Sequence, residues 1–280
     1  MAGRLQNFEE WIREISVRGD IEVVVVHDRV DKATGDELIK ICGELANVKL
    51  IEGHFGNPGS ARNAGLRICK GSWITFWDCD DKPNIQQYLL LLESKLIDTS
   101  EVCIATYSKY NELKEVLTDP VKWSKEFSKN IETFALNPGI WRIVFSLELI
   151  QDLSFNPLKM AEDQNFICAA ILKAKTINFV DNQIYTYYIG SQNHLTNKPD
   201  ALQDLLPAFR NTKAFIVENK RIDLIPLLNI MAARQMVSGL KYGVTKTRFG
   251  LLKSLLKGGF VLRPSFIYAL KTVTSSAKGS

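Results

Sequence analysis

Apolar residues along this chain recur with two periods that alternate through the first hundred positions. Phe8, Trp11, Ile12 and Ile15 share one helical face, and Asn7 with Glu10 has the spacing of a capping box at its start. Residues 21–26 form a near-continuous β-branched run, which marks a strand covered on both faces. Thr34 and Glu37 repeat the capping-box spacing ahead of Leu38, Ile41, Cys42 and Leu45, a second amphipathic helix. Residues 48–51 predict a strand, 60–69 a helix, and the aromatic run 72–77 a buried strand. A helix over 84–96 and a strand over 102–107 follow. Strands alternating with helices imply parallel βαβ units, so the expected fold is α/β, a doubly wound, mostly parallel sheet with helices on both faces.

From 110 to 160 the pattern loosens, with Trp123, Phe127, Trp141 and Phe145 set among polar positions. Residues 160–173 predict a helix, and 176–180 and 183–188 two short strands. The remainder is helical and increasingly basic.

Composition narrows the picture. A chain of 280 residues that is 46% hydrophobic can bury a sizeable core. Its five cysteines are odd in number, scattered and without a CxxC pair, which points to reduced thiols in a cytosolic setting. Its first ten residues lack the apolar core of a secretory signal, and no apolar run is long enough to span a bilayer.

The net charge of +4 conceals an asymmetry. Nine Lys or Arg and no Asp or Glu follow Asp223, while the other 26 basic residues face all 31 acidic ones. Leu251, Leu252, Leu255 and Leu256 have helical spacing among those lysines. Basic residues interleaved with leucines suit a helix on an anionic membrane surface better than a nucleic-acid patch, because leucines have no role on a phosphate backbone. The alternative is a helix docked on the core with its lysines in water.

The densest candidate chemistry is Asp78-Cys79-Asp80-Asp81, placed where the strand 72–77 ends. Carboxylates crowded at a buried strand end repel one another unless a cation neutralises them. Oxygen ligands on a short loop suit Mg²⁺ or Mn²⁺. The competing reading is a polar turn that caps the next helix. Asp28 follows the first strand, and in doubly wound sheets ligands bind beyond such strand ends.

Four pieces, in this order and spacing, resemble the family 2 glycosyltransferases of the GT-A fold. They are the strand ending at Asp28, the loop and helix Asn57-Pro58-Gly59-Ser60-Ala61-Arg62-Asn63-Ala64-Gly65-Leu66, the acidic Asp78-Cys79-Asp80-Asp81, and Met160-Ala161-Glu162-Asp163-Gln164-Asn165-Phe166. The resemblance covers about residues 8–200 and divides the chain into a nucleotide-sugar-binding half (1–110), an acceptor-side half (111–200) and a helical, basic C-terminal region (201–280). It implies an inverting, metal-dependent transfer from a nucleotide-sugar, with UDP as the expected nucleotide, to a glycan or lipid-linked acceptor. Asp80 would hold Mn²⁺ or Mg²⁺. Asp78 would contact the donor, Asp81 would support the site, Arg62 would point toward the donor and Asn63 would order the loop. Asp28 would bond the base or ribose. Asp163 would be the general base; alone, Glu162-Asp163 also fits an acidic first helical turn. His194 is a further candidate ligand, and His27 stands where the family carries an acid.

One piece of the pattern is missing. The family opens with an apolar strand inside the sheet, and this chain starts at the helix that should follow it, so two unpaired strand edges are expected; a start placed too far downstream is the preferred explanation, ahead of a divergent sheet that closes over the gap and a degenerate chain without activity. The implied partners are the nucleotide-sugar, the acceptor and a membrane surface reached through the basic region, at the inner face of the cell membrane; no nucleic acid is expected. Against a transferase stand a truncated, non-catalytic relative and a sugar nucleotidyltransferase, whose glycine-rich basic signature is absent.

Overall fold

The computed structural model describes residues 2–28, 32–189, 199–257 and 263–276. In chain order the first elements are α1 (Ala2–Ile15), β1 (Val23–Asp28), α2 (Lys32–Gly43), β2 (Val48–Gly53) and α3 (Pro58–Leu66). Then come β3 (Trp73–Ile74), β4 (Lys82–Pro83), α4 (Ile85–Leu92), α5 (Lys95–Asp98), β5 (Val102–Asn111) and β6 (Val116–Leu117). α6 (Phe127–Leu136), β7 (Ile143–Ser146), α7 (Leu147–Ile150), α8 (Glu162–Lys173) and β8 (Ile177–Ile189) follow. The chain ends in α9 (Pro199–Leu202), α10 (Leu205–Glu218), α11 (Ile225–Tyr242), α12 (Thr245–Leu256) and α13 (Pro264–Ser276).

These elements form two compact units, and the segment 111–200 is divided between them. The first comprises Met1–Trp123, Ile140–Ser154 and Ala174–Ser191; the second comprises Ser124–Gly139, Phe155–Lys173 and Gln192–Ser280.

The first unit is the α/β part. Its larger sheet runs β3-β7-β5-β8-β4, with β6 paired to β5, and it is mixed: β5 and β8 are parallel and the other pairs antiparallel. β1 and β2 form a separate parallel pair. Among the described residues β1 and β2 each have a ladder on one side only, as do β3 and β4 at the two ends of the larger sheet. Val23 and Val25 pack with Phe8, Trp11, Ile12, Leu38 and Ile41. On the opposite face, Val24 and Val26 lie so close to Gly65 of α3 that a β-carbon there would sit 3.1 Å from Val26. Helices on both faces explain the near-continuous valine run.

Several boundaries differ from the sequence pattern. Only Trp73 and Ile74 of the run 72–77 stay in the ladder, because the Thr75 hydroxyl donates to the Ile143 carbonyl at 3.0 Å and draws the chain out of register. Trp77 then turns into the core, edge-on to Trp11 and Tyr88. Neither Asn7 nor Thr34 opens its helix: α1 begins at Ala2 and α2 at Lys32. The strands expected at 176–180 and 183–188 are one continuous β8, whose irregular pairing with β5 around Ala105, Thr106 and Tyr107 absorbs the polar residues between them.

The second unit is helical. α11 packs against α6, α10 and α13, with Leu227, Leu228, Met231, Ala232 and Met236 buried. Among the described residues no helix is long and apolar enough to cross a membrane.

Candidate donor-binding site

The acidic turn lies between β3 and β4. The backbone N–H of Asp81 reaches back to the carbonyl of Asp78 at 3.4 Å, which closes the turn. The helix that follows is capped not by these carboxylates but by Asn84, whose side chain accepts the N–H of Gln87 at 3.2 Å. That disposes of helix capping as the reason for the cluster.

Three other segments converge on the turn. From α3, Arg62 donates to Oδ1 of Asp78 at 2.8 Å. From β8, the Tyr185 phenol donates to Oδ2 of Asp81 at 2.9 Å and accepts the backbone N–H of Asp78 at 3.2 Å. Three residues further along β8, the N–H of Tyr188 donates to Oδ1 of Asp81 at 2.8 Å. Tyr185 is held in turn by Trp141, whose ring stacks on it at 4.7 Å and 12° and on Tyr187 at 5.4 Å and 13°.

Electrostatics follow from this packing. Asp81 is 3% exposed, and its carboxyl is pushed up to about 8, first by burial, then by the charge of Asp78 and less by that of Asp80. The two donated hydrogen bonds oppose that rise without cancelling it. Burial, then the charges of Asp81 and Asp78, push the Tyr185 phenol well above its usual range.

Asp28 has a different geometry. Its two carboxylate oxygens accept the backbone N–H groups of Phe55 at 2.9 Å and Gly56 at 2.8 Å. Gly56 adopts φ +71°, a left-handed conformation that suits glycine. Immediately downstream Asn57 caps α3, its side chain accepting the N–H of Ser60 at 2.8 Å, with Pro58 in the first turn. Asp28 therefore pins the loop that launches α3, and α3 delivers Arg62 to Asp78. Asn63 lies half-buried one residue along the same helix.

His27 is placed differently from Asp28. His27 turns to the opposite face of β1, under Gly35 of α2, with Nδ1 3.7 Å from Glu52. His194 falls outside the described residues. Among the described residues no three His, Cys, Asp or Glu side chains group tightly enough to hold a metal by themselves. No sequence motif assigns Tyr185, Tyr188 or Trp141 a role at the turn; the one signal is the tyrosine-rich stretch 185–196, which resembles the segment that follows the Glu-Asp motif in the family.

Asp163 belongs to the helical unit. Ala161, at φ +62°, turns the chain into α8, a strained conformation for a residue with a β-carbon. Glu162 and Asp163 occupy the first helical turn, Glu162 buried. Oδ1 of Asp163 accepts the N–H of Gln164 at 2.7 Å. The turn is anchored behind: Asn165 donates to the Ala208 carbonyl and the Thr212 hydroxyl, both at 3.1 Å, and Gln235 donates to Gln164 at 3.2 Å.

Comparison with known proteins finds glycosyltransferases. Residues 6–131 match the family model described as glycosyl transferase family 2. Glycosyltransferase GlyA of Streptococcus pneumoniae is 23% identical over 85% of this chain and 37% of its own length. The uncharacterized glycosyltransferase EpsJ of Bacillus subtilis is 25% identical over 70% of this chain and 62% of its own. The poly(ribitol-phosphate) beta-glucosyltransferase of Bacillus spizizenii is 26% identical over 72% and 34%. The chain thus spans between about a third and just under two thirds of these relatives' lengths. Among solved structures, residues 1–349 of S. aureus TarS in complex with UDP-GlcNAc superpose with a TM-score of 0.63 at 22% identity, over 95% of this chain and 78% of that one. That likeness establishes the fold.

Proposed function

We propose that this chain, whose residues 6–131 belong to glycosyl transferase family 2, moves a sugar from a UDP-linked donor to a hydroxyl of a glycan or lipid-linked acceptor in cell-surface polysaccharide synthesis. The observation that carries this reading is the convergence of Arg62, Tyr185 and Tyr188 on one acidic turn. A relative named as a poly(ribitol-phosphate) beta-glucosyltransferase and a structural neighbour holding UDP-GlcNAc support the donor class and the polymer context.

A divalent cation would be held at the turn. Its ligands would be oxygens only, and burial, with the charges of Asp78 and Asp80 adding to it, holds Asp81 toward its protonated form. Asp80 would hold Mn²⁺ or Mg²⁺, and the ion would supply positive charge against the leaving diphosphate. Arg62 fixes the direction of Asp78 toward the donor, and Tyr185 fixes Asp81. Asp28 orders the loop ahead of α3. Asp163 takes the proton from the acceptor hydroxyl as that oxygen attacks the anomeric carbon, in one displacement with inversion.

Calorimetric titration with UDP, with and without Mn²⁺, tests the donor half of this reading in the wild type and in Asp80→Ala. Metal-dependent binding lost in the variant is the expected result. A well-folded wild type that binds no UDP under either condition sinks it.

A further inference from the structure

The helix α12 combines a fixed inner face with an apolar outer one. Leu251 is fully buried and sits over Gly239 of α11, where a β-carbon would come within 2.2 Å of its Cδ1. Gly250 lies under Leu206 of α10, with 2.4 Å between its missing β-carbon and Leu206 Cδ2. Thr247 is buried on the same side. These close approaches lock the rotation of α12, so its other face cannot turn inward.

That outer face carries Phe249 (68% exposed), Leu252 (45%) and Leu256 (82%). At 3.6 residues per turn the three fall within a stripe about 60° wide. Lys246, Lys253 and Lys257 flank it on one side and Arg248 on the other, all exposed. Scattered single exposed apolar residues need no explanation; a stripe of three large ones bordered by cations on both sides does. The four leucines of the sequence pattern therefore divide: Leu251 belongs to the core, Leu252 and Leu256 to the surface, and Leu255 is half-buried between them.

We infer that the outer face of α12 docks on an anionic lipid surface, with Phe249, Leu252 and Leu256 entering the boundary between headgroups and acyl chains. Charge complementarity selects this occupant, since no Asp or Glu occurs anywhere after Asp223 while nine Lys or Arg do. A polyanion such as nucleic acid would match the lysines and leave the apolar stripe in water. The lysines reach outward along the stripe's edge, the arrangement of a helix lying in the interfacial plane. This surface supplies the place where a lipid-linked acceptor would be met, and in that respect it rests on the transferase reading; the docking itself does not.

Flotation of the full chain with phosphatidylcholine vesicles, with and without about a third phosphatidylglycerol, tests the inference. The wild type should float with the anionic vesicles alone and be released at high salt. The triple change Phe249→Ser, Leu252→Ser, Leu256→Ser and, separately, the double change Lys253→Glu, Lys257→Glu should each weaken flotation about tenfold or more, with melting temperature unchanged. Absence of wild-type flotation overturns the inference, as does undiminished flotation of both variants. Concentration-dependent dimerisation by light scattering, abolished in the triple variant and without vesicle binding, would assign the face to a second copy and overturn it too. UDP titration of the same variants separates the two readings, because a failed donor site leaves the flotation result untouched.

Discussion

The phenol of Tyr185 donates to Oδ2 of Asp81 at 2.9 Å while its oxygen accepts the backbone N–H of Asp78 at 3.2 Å. One hydroxyl thus ties both ends of a turn that lies more than a hundred residues away in sequence. Trp141 stacks flat on the same ring, so the turn inherits the rigidity of the sheet beneath it. Charged side chains on a free loop would relax away from one another; these are held together.

Removing that hydroxyl should therefore act on the site before it acts on the fold. Tyr185→Phe keeps the stacked ring and leaves Oδ2 of Asp81 buried without its donor, a loss of about 1–3 kcal/mol of stability. Metal-supported UDP affinity should fall about 10–100-fold, as for other residues that position a metal ligand's neighbours. Denaturant melts and UDP calorimetry on one preparation check both; unchanged affinity would show that the tie to Tyr185 is dispensable.

The buried carboxyl of Asp81 makes stability of the metal-free protein depend on pH. Its pKa is pushed up to about 8 from an ordinary value of 3.8, so the folded state holds a proton the unfolded chain releases. The associated stability is fully present below about pH 4 and is lost progressively as pH rises through about 8. Asp81→Asn, which cannot ionise, should flatten this slope and leave the variant relatively more stable at pH 8 than at pH 5 when each is compared with the wild type. Melting temperatures at four or five pH values, with chelator present, provide the measurement. Parallel profiles for the two proteins would rule the mechanism out.

Asp28 offers a clean separation between a structural and a ligand-contacting role. Its two oxygens hold the N–H groups of Phe55 and Gly56, so Asp28→Ala should cost about 2–3 kcal/mol even without ligand. Asp28→Asn, which keeps one acceptor oxygen, should cost roughly half as much. Gly56→Ala at φ +71° should cost about 1 kcal/mol more than an ordinary loop substitution. Urea titration of the three variants reads these values. If Asp28→Ala melts like the wild type, the carboxylate serves the donor and not the loop.

Much of this was legible in the chain itself, for identifiable reasons. The valines of β1 announced a strand covered on both faces because α2 and α3 do cover it, and the crowded carboxylates marked the turn on which Arg62, Tyr185 and Tyr188 converge. The strand expected at 72–77 shrank to Trp73 and Ile74 because a single hydroxyl, that of Thr75, competes for a carbonyl, which apolar periodicity cannot register. The capping-box spacings at Asn7 and Thr34 fell inside helices that were already under way. Tyr185 escaped notice because a tyrosine in an alternating strand looks like core, and only the pairing of β4 with β8 brings it to the turn. In the basic region helical spacing was visible, but the choice between inward and outward leucines waited on Gly239 and Gly250.

A general base at Asp163 is what would separate an enzyme from a binding protein. Asp163 follows the left-handed Ala161 into the first turn of α8, and Asn165 and Gln164 fasten that turn to α10 and α11. Backbone strain retained beside a carboxylate is characteristic of residues that must point one way. Asp163→Asn keeps the size and the oxygen that accepts the Gln164 N–H, so melting temperature and UDP affinity should stay within error of the wild type. The rate of sugar transfer should fall about 10²–10⁴-fold, the usual worth of a positioned base. Glu162→Gln, one residue earlier and buried, serves as the control: a comparable loss there would move the base to Glu162. Full activity in Asp163→Asn would leave α8 an ordinary acidic helix start, its carboxylate placed there for the helix dipole alone.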